Sequence, residues 1–258
     1  MPDAVLAGRR IVVTRPREYA SALVEQLERL GAEALELPLI QVEPMREADA
    51  KVLDAVLTDV AAYDWIVFTS ANGVAAVQEH LSGKLAGAKI AVVGPATAAA
   101  VRALGVEPSF VPANFAAAEI LEGLGELEGC RVLLPQADIA DPWLGEQIRA
   151  AGASVDAVVA YRTVGVDPSA VEAAELEAGV DAIVLASGSA ARSLAALAAK
   201  FPRVTKALQQ TLLVAIGPKT AEAAREVALP VGLVADEASA EGIIQTLTSH
   251  FAAEPGED

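Results

Sequence analysis

The chain has little of what most metal and nucleophile sites are built from. One cysteine, Cys130, and two histidines, His80 and His250, stand among 258 residues. A single thiol excludes an intramolecular disulfide framework and fits a reducing compartment. Its place just before the apolar run Val132–Leu134 reads as a packed structural thiol. Neither histidine has a second His or Cys at metal-ligand spacing, so no zinc site and no Ser-His-Asp triad is expected; both fall at predicted helix C-termini. Positive charge is also scarce: 19 Lys and Arg face 35 Asp and Glu, for a net charge of −16. With no basic block, nonspecific nucleic-acid binding and attraction to anionic membrane surfaces are disfavoured. A small anionic ligand remains compatible, because a local donor cluster outweighs average charge screened beyond about 10 Å. No apolar run approaches the roughly 18 residues of a spanning helix. The N-terminal residues lack a basic region followed by an apolar one, which gives a cytoplasmic expectation. Neither a Gly-x-Gly-x-x-Gly turn nor a P-loop is present, so dinucleotide and P-loop chemistry lack their usual marks.

What the chain has instead is itself, twice. Val93-Gly94-Pro95-Ala96-Thr97-Ala98 returns 123 residues later as Ile216-Gly217-Pro218-Lys219-Thr220-Ala221. Asp64-Trp65-Ile66-Val67-Phe68-Thr69-Ser70 returns after 117 as Asp181-Ala182-Ile183-Val184-Leu185-Ala186-Ser187. Gly8 to Val13, Gln26 and Gly31 match Gly129 to Leu134, Gln147 and Gly152 at an offset of 121. Two copies this long are too few and too large for a solenoid. They read as related globular halves with a cleft between them.

Short β-branched runs alternate with Ala-rich amphipathic stretches. Strands are predicted at Arg10–Thr14, Trp65–Thr69, Ile90–Val93, Val132–Leu134, Val155–Ala160, Ala182–Ala186, Leu212–Ile216 and Gly232–Val234. Helices are predicted at Ser21–Leu30, Asn72–His80, Pro95–Leu104, Ala116–Leu124, Trp143–Ala151, Ser189–Lys200, Pro218–Val227 and Glu241–Phe251. The strands are mostly continuous apolar runs, as in parallel sheets covered on both faces. The fold class is therefore α/β, with two doubly wound parallel-sheet domains from an internal duplication. Two alternating extended strips, Pro38 to Pro44 and Val159 to Val164, read as a two-stranded link. The acidic tail from Glu254 reads as frayed.

Candidate chemistry sits in repeated turns between a strand and a helix. Ser70-Ala71-Asn72 pairs with Ser187-Gly188-Ser189, and Gly94-Pro95-Ala96-Thr97 with Gly217-Pro218-Lys219-Thr220. In doubly wound folds ligands bind outside the carboxyl ends of the strands. Gly permits a tight turn, Pro suits the first helical position, and Ser or Thr caps free N–H groups. Helix N-termini with small hydroxyl residues suit anions, though each hydroxyl can equally cap its own helix. Arg15, after the first strand, is placed to clamp a carboxylate or else to lie exposed. Tyr161, in the second strip, is a packing aromatic or a proton donor to a leaving group.

Taken together, Val13-Thr14-Arg15-Pro16, Phe68-Thr69-Ser70-Ala71-Asn72-Gly73-Val74, Val93 to Ala98, Tyr161-Arg162-Thr163 and Ile216 to Ala221 resemble the uroporphyrinogen-III synthase family over nearly the whole chain. At Pro135-Gln136-Ala137-Asp138 the chain departs from the family's Arg-Gly or Gly-Asn turn, so Gln136 is given no role. The resemblance implies a cofactor-independent enzyme that cyclises hydroxymethylbilane to uroporphyrinogen III, inverting ring D and losing water. It implies Tyr161 as the group assisting departure of the hydroxyl. Arg15, Thr69, Ser70, Asn72, Gly94, Thr97, Ser187, Gly188, Ser189, Gly217, Lys219 and Thr220 would bind the substrate carboxylates. It also implies one domain of residues 1–37 plus 166–258, another of 44–160, and links at 38–43 and 161–165. The repeat alone points instead to a sequential split near Glu128. A monomer is expected, with the tetrapyrrole substrate as partner and a transient contact with hydroxymethylbilane synthase left open. The alternative is a two-lobed cytoplasmic receptor that binds a small anionic metabolite without catalysis; a nucleotide-using enzyme ranks third.

Overall fold

The computed structural model describes residues 5–81, 87–112 and 117–253. Its first half runs β1 (Arg10–Val13), α1 (Ser21–Arg29), β2 (Glu33–Glu36), β3 (Ile40–Glu43), α2 (Glu47–Thr58), β4 (Trp65–Phe68), α3 (Ala71–Leu81), β5 (Lys89–Val92), α4 (Pro95–Ala103) and α5 (Ala117–Leu124). The second runs β6 (Arg131–Ala137), α6 (Trp143–Ala150), β7 (Ser154–Gly165), α7 (Ala170–Glu177), β8 (Ala182–Leu185), α8 (Gly188–Lys200), α9 (Pro202–Leu208), β9 (Leu212–Ala215), α10 (Pro218–Glu226), β10 (Val231–Val234) and α11 (Ala240–Ala253). The acidic tail and Ala116 lie outside the described residues.

The chain forms two compact units. Met1–Gln41 joins Val164–Asp258 in the first, and Val42–Thr163 forms the second. The first unit holds a sheet ordered β10-β9-β8-β1-β2, parallel throughout. The second sheet is ordered β3-β7-β6-β4-β5, with β7, β6, β4 and β5 parallel. The sequence repeat makes β1, β2, β8 and β9 the counterparts of β6, β7, β4 and β5. The two sheets therefore share one strand order, and the isolated parallel bridge from Ala91 to Phe110 stands where β10 stands in the first unit. Each unit takes strands from both copies: the first copy supplies β1 and β2 to one, β4 and β5 to the other. The duplication is thus visible as topology, and its copies are not the compact units.

Burial explains the apolar runs. All four residues of β4 and of β8 are buried, because helices cover both faces. Alternate side chains enter different cores: Ile66 and Phe68 pack with Leu53, Val77 and Val101, while Trp65 and Val67 pack with Ile120, Leu144 and Ile148. In the first unit Ile183 and Leu185 pack with Leu194 and Leu213, and Ala182 and Val184 with Ile11, Leu23 and Ile243. Gly31 and Gly152, matched in the repeat, close the turns after α1 and α6 at φ 91° and 94°. Only glycine takes that left-handed conformation without strain. Cys130 is partly buried, packs on the second unit's core and has Sγ 3.6 Å from the Glu126 carbonyl.

Some elements differ from the sequence reading. The strip at Val159 is continuous with the preceding strand, giving one twelve-residue β7. Helices α2, α7 and α9, and strand β2, have no counterpart among the predicted elements. The signal for α7 is nonetheless present: Ser169 and Glu172 form a capping box.

Candidate active site

In the second unit the carboxyl end of β4 opens into Thr69, Ser70, Ala71 and Asn72. Ser70 Oγ accepts the Gly73 N–H at 3.1 Å, capping α3, and also lies 2.8 Å from the Tyr161 phenol oxygen. Either oxygen can be the donor in the second bond. Tyr161 is 8% exposed and packs on the core beside Phe68 and Ala160. Tyr161 thus packs as an aromatic, and its hydroxyl lies against a serine at the strand ends. Thr69 and Asn72 are half-buried, and their side chains make no hydrogen bond among the described residues.

Beyond β5, Gly94 is the N-cap of α4, with Pro95 at the first helical position and no side-chain cap. The glycine does not serve a tight turn as expected, since its φ of −152° is ordinary extended backbone. A Cβ there would meet no atom within 4 Å, so the first turn of α4 opens onto free space. Thr97 is buried, yet its hydroxyl makes no hydrogen bond among the described residues. It does not cap its helix.

The first unit repeats this pattern. Ser187 Oγ accepts the Ala190 N–H at 3.1 Å, capping α8, and lies 2.9 Å from Ser189 Oγ in the helix's first turn. Gly188 serves packing, because a Cβ on it would stand 2.8 Å from the Ala223 methyl of α10. Gly217 caps α10 in extended conformation at φ −177°, again without a side-chain cap. Lys219 is exposed and forms no ion pair among the described residues. Thr220 is buried, and its hydroxyl, like that of Thr97, has no partner among the described residues. Contrast Thr14, whose buried hydroxyl donates to the Val184 carbonyl at 2.7 Å.

Arg15 follows directly. It is half-buried and makes neither an ion pair nor a hydrogen bond among the described residues, and desolvation holds its pKa below the ordinary arginine value. Its neighbour Arg17 is spent on Glu172 at 2.6 Å and Glu36 at 3.5 Å. A desolvated guanidinium without a carboxylate is unfavourable unless a ligand supplies the anion. The sequence leaves Arg15 open between a clamp and an exposed arginine, and the side chain is half-buried.

Sequence reasoning gives Asp138 no part. Its Oδ1 accepts the Thr163 N–H at 3.0 Å, its own N–H donates to the Tyr161 carbonyl at 3.1 Å, and Oδ2 lies 3.7 Å from Arg162 Nε. The signal that could have found it is a carboxylate just past the end of a strand, beside a strip carrying a candidate tyrosine.

Two sheets that end alike, in Gly-Pro helix starts without a side-chain cap and in serine-capped turns, define a doubly wound α/β protein. The chain belongs to the uroporphyrinogen-III synthase family: residues 21–245 match the family model described as uroporphyrinogen-III synthase HemD. It is 31% identical over 252 residues to a porphyrin biosynthesis protein HemD of Ruminiclostridium josui, covering 94% of this chain and 48% of that protein. The chain thus spans about half the length of that relative. It is 27% identical to a uroporphyrinogen-III synthase of Synechococcus elongatus, covering 95% of this chain and 96% of that one. A crystal structure of a mutant uroporphyrinogen III synthase from the extreme thermophile Thermus thermophilus shares the fold, with a TM-score of 0.66 at 21% identity, covering 96% of this chain and 100% of the other.

Proposed function

We propose that this chain cyclises hydroxymethylbilane to uroporphyrinogen III with loss of water and inversion of ring D. The observation that carries the reading is the family match across residues 21–245. The site gives it a chemistry. Loss of hydroxide from the substrate leaves an azafulvenium cation, and protonation of the departing oxygen assists that step. Tyr161, held through its hydroxyl by Ser70, is the proton donor. The cation is then trapped through the substituted carbon of ring D, and the spiro intermediate fragments and recloses. Because uncatalysed closure gives the uninverted isomer, the protein's main task is to hold one substrate conformation.

Eight substrate carboxylates need donors. In the first unit Arg15, Ser187, Gly188, Ser189, Gly217, Lys219 and Thr220 supply them; in the second, Thr69, Ser70, Asn72, Gly94 and Thr97 do. Support comes from the first turns of α4 and α10, which have no side-chain cap, and from Thr97, Thr220 and Arg15, whose side chains have no partner among the described residues. Serine hydroxyls already used as caps contribute through their turn's main-chain N–H groups. The domains of this reading are 1–37 plus 166–258 and 44–160, linked by 38–43 and 161–165. The protein works as a cytoplasmic monomer that takes its substrate from a transient contact with hydroxymethylbilane synthase. Among the described residues no helix is long and apolar enough to cross a membrane. Expression in a bacterial strain lacking the endogenous synthase tests the proposal: restored haem-dependent growth supports it, and failure by a soluble, well-expressed protein contradicts it.

A further inference from the structure

Tyr161 stands one residue beyond an irregularity in its own strand. Gln136 of β6 faces Val159 of β7 and Ala137 faces Tyr161, so Ala160 is the extra residue of a bulge. Strand period puts neighbouring side chains on opposite faces, yet Ala160 and Tyr161 both pack into the one core that holds Val158 and Phe68. Bulges re-aim side chains in this way, at the cost of a locally broken ladder.

β6 ends at Ala137. From there one side chain continues the ladder. Asp138 Oδ1 takes the Thr163 N–H, its main-chain N–H holds the Tyr161 carbonyl, and Oδ2 faces Arg162, whose Nη1 is drawn to Glu43 at 3.2 Å. Three consecutive residues, Tyr161, Arg162 and Thr163, are thus fixed by one aspartate.

We propose that Asp138 is a positioning residue for Tyr161: its carboxylate replaces the missing strand as acceptor, sets the bulged backbone, and so delivers the phenol to Ser70. The role rests on the reading of Tyr161 as proton donor.

The test is a double-mutant cycle read as kcat and KM for type III formation, with melting temperature as the control for folding. Tyr161→Phe is measured first; a wild-type kcat there removes the tyrosine, and the positioning role with it. Given a slow Tyr161→Phe, Asp138→Ala is expected to lower kcat about tenfold with KM within about twofold, as loss of one charge-assisted hydrogen bond allows. In the Tyr161→Phe background the same change should cost less than about twofold. An equal loss in both backgrounds shows that Asp138 does not act through Tyr161. Asp138→Asn keeps an oxygen acceptor for Thr163 and is expected to retain kcat within about threefold; a loss as deep as that of Asp138→Ala overturns the acceptor role. Should Asp138→Ala not fold, Asp138→Glu keeps the charge but displaces the acceptor, and wild-type kcat in that variant contradicts the proposal.

Discussion

Ser70 Oγ and the Tyr161 phenol oxygen lie 2.8 Å apart while the same Oγ caps helix α3 through the Gly73 N–H. One hydroxyl thereby ties a candidate proton donor to the rigid start of a helix. Ser70→Ala removes both bonds. It should lower stability by about 1 kcal/mol, the usual cost of a lost cap. It should also slow turnover, whereas Tyr161→Phe should slow turnover roughly tenfold to hundredfold without abolishing it. Steady-state rates and thermal melts separate the two; an unaltered rate constant in Tyr161→Phe removes Tyr161 from the mechanism.

Arg15 carries a prediction of opposite sign for stability and binding. Its partial burial without a counter-ion among the described residues is costly, so Arg15→Met should raise stability by about 1 kcal/mol. Arg15→Gln should raise KM about tenfold, and Arg15→Lys should recover little of it, since a point charge does not reproduce a bidentate fork. A KM at the wild-type value in Arg15→Gln places the arginine outside the substrate site.

The matched threonines separate from Thr14 in a melting experiment. Thr14→Val breaks a fully buried hydrogen bond to the Val184 carbonyl and should cost about 1 kcal/mol. Thr97→Val and Thr220→Val lose no described protein partner and should stay within about 0.5 kcal/mol of wild type. Their activity losses should each be below about tenfold, because main-chain donors share the load. A loss on the order of a hundredfold from Thr97→Ala alone contradicts that sharing.

Glycines at equivalent turns should behave differently. Gly188→Ala drives a methyl to 2.8 Å from Ala223 and should destabilise by about 1–3 kcal/mol. Gly94→Ala meets no atom within 4 Å and takes up an extended backbone, so stability should hold. Activity should fall there if substrate approaches the first turn of α4.

Acid stability should depend on Glu172. Hydrogen bonds from Ser169, and then the charge of Arg17, hold its pKa below the ordinary 4.5. The depressed value means that its contribution is present above about pH 4.5 and lost as pH falls through the lower folded value. Glu172→Gln should flatten that part of the stability curve, measured by urea unfolding between about pH 6 and about pH 3.

The fold was legible because its strands are buried on both faces. Runs such as Trp65–Phe68 and Ala182–Leu185 carry no competing pattern, and the repeat fixed their equivalence. The Ser70 and Ser187 caps were legible too, since a serine before an Ala-rich run has one common local use. What stayed hidden is non-local. Nothing near Gly188 announces Ala223 across a helix pair, and nothing at Arg15 reveals that no carboxylate among the described residues pairs with it. Asp138 depends on a bulge, and a bulge leaves no mark in residue pattern. Helix α2 escapes a sequence reading because its charged, loosely amphipathic stretch resembles a connector.

The most direct measurement supplies fresh hydroxymethylbilane to the purified protein and identifies the oxidised cyclised isomers by chromatography. The account predicts predominant type III, formed faster than spontaneous closure. Type I alone, at the spontaneous rate, contradicts it and leaves a binder of tetrapyrroles or other anions.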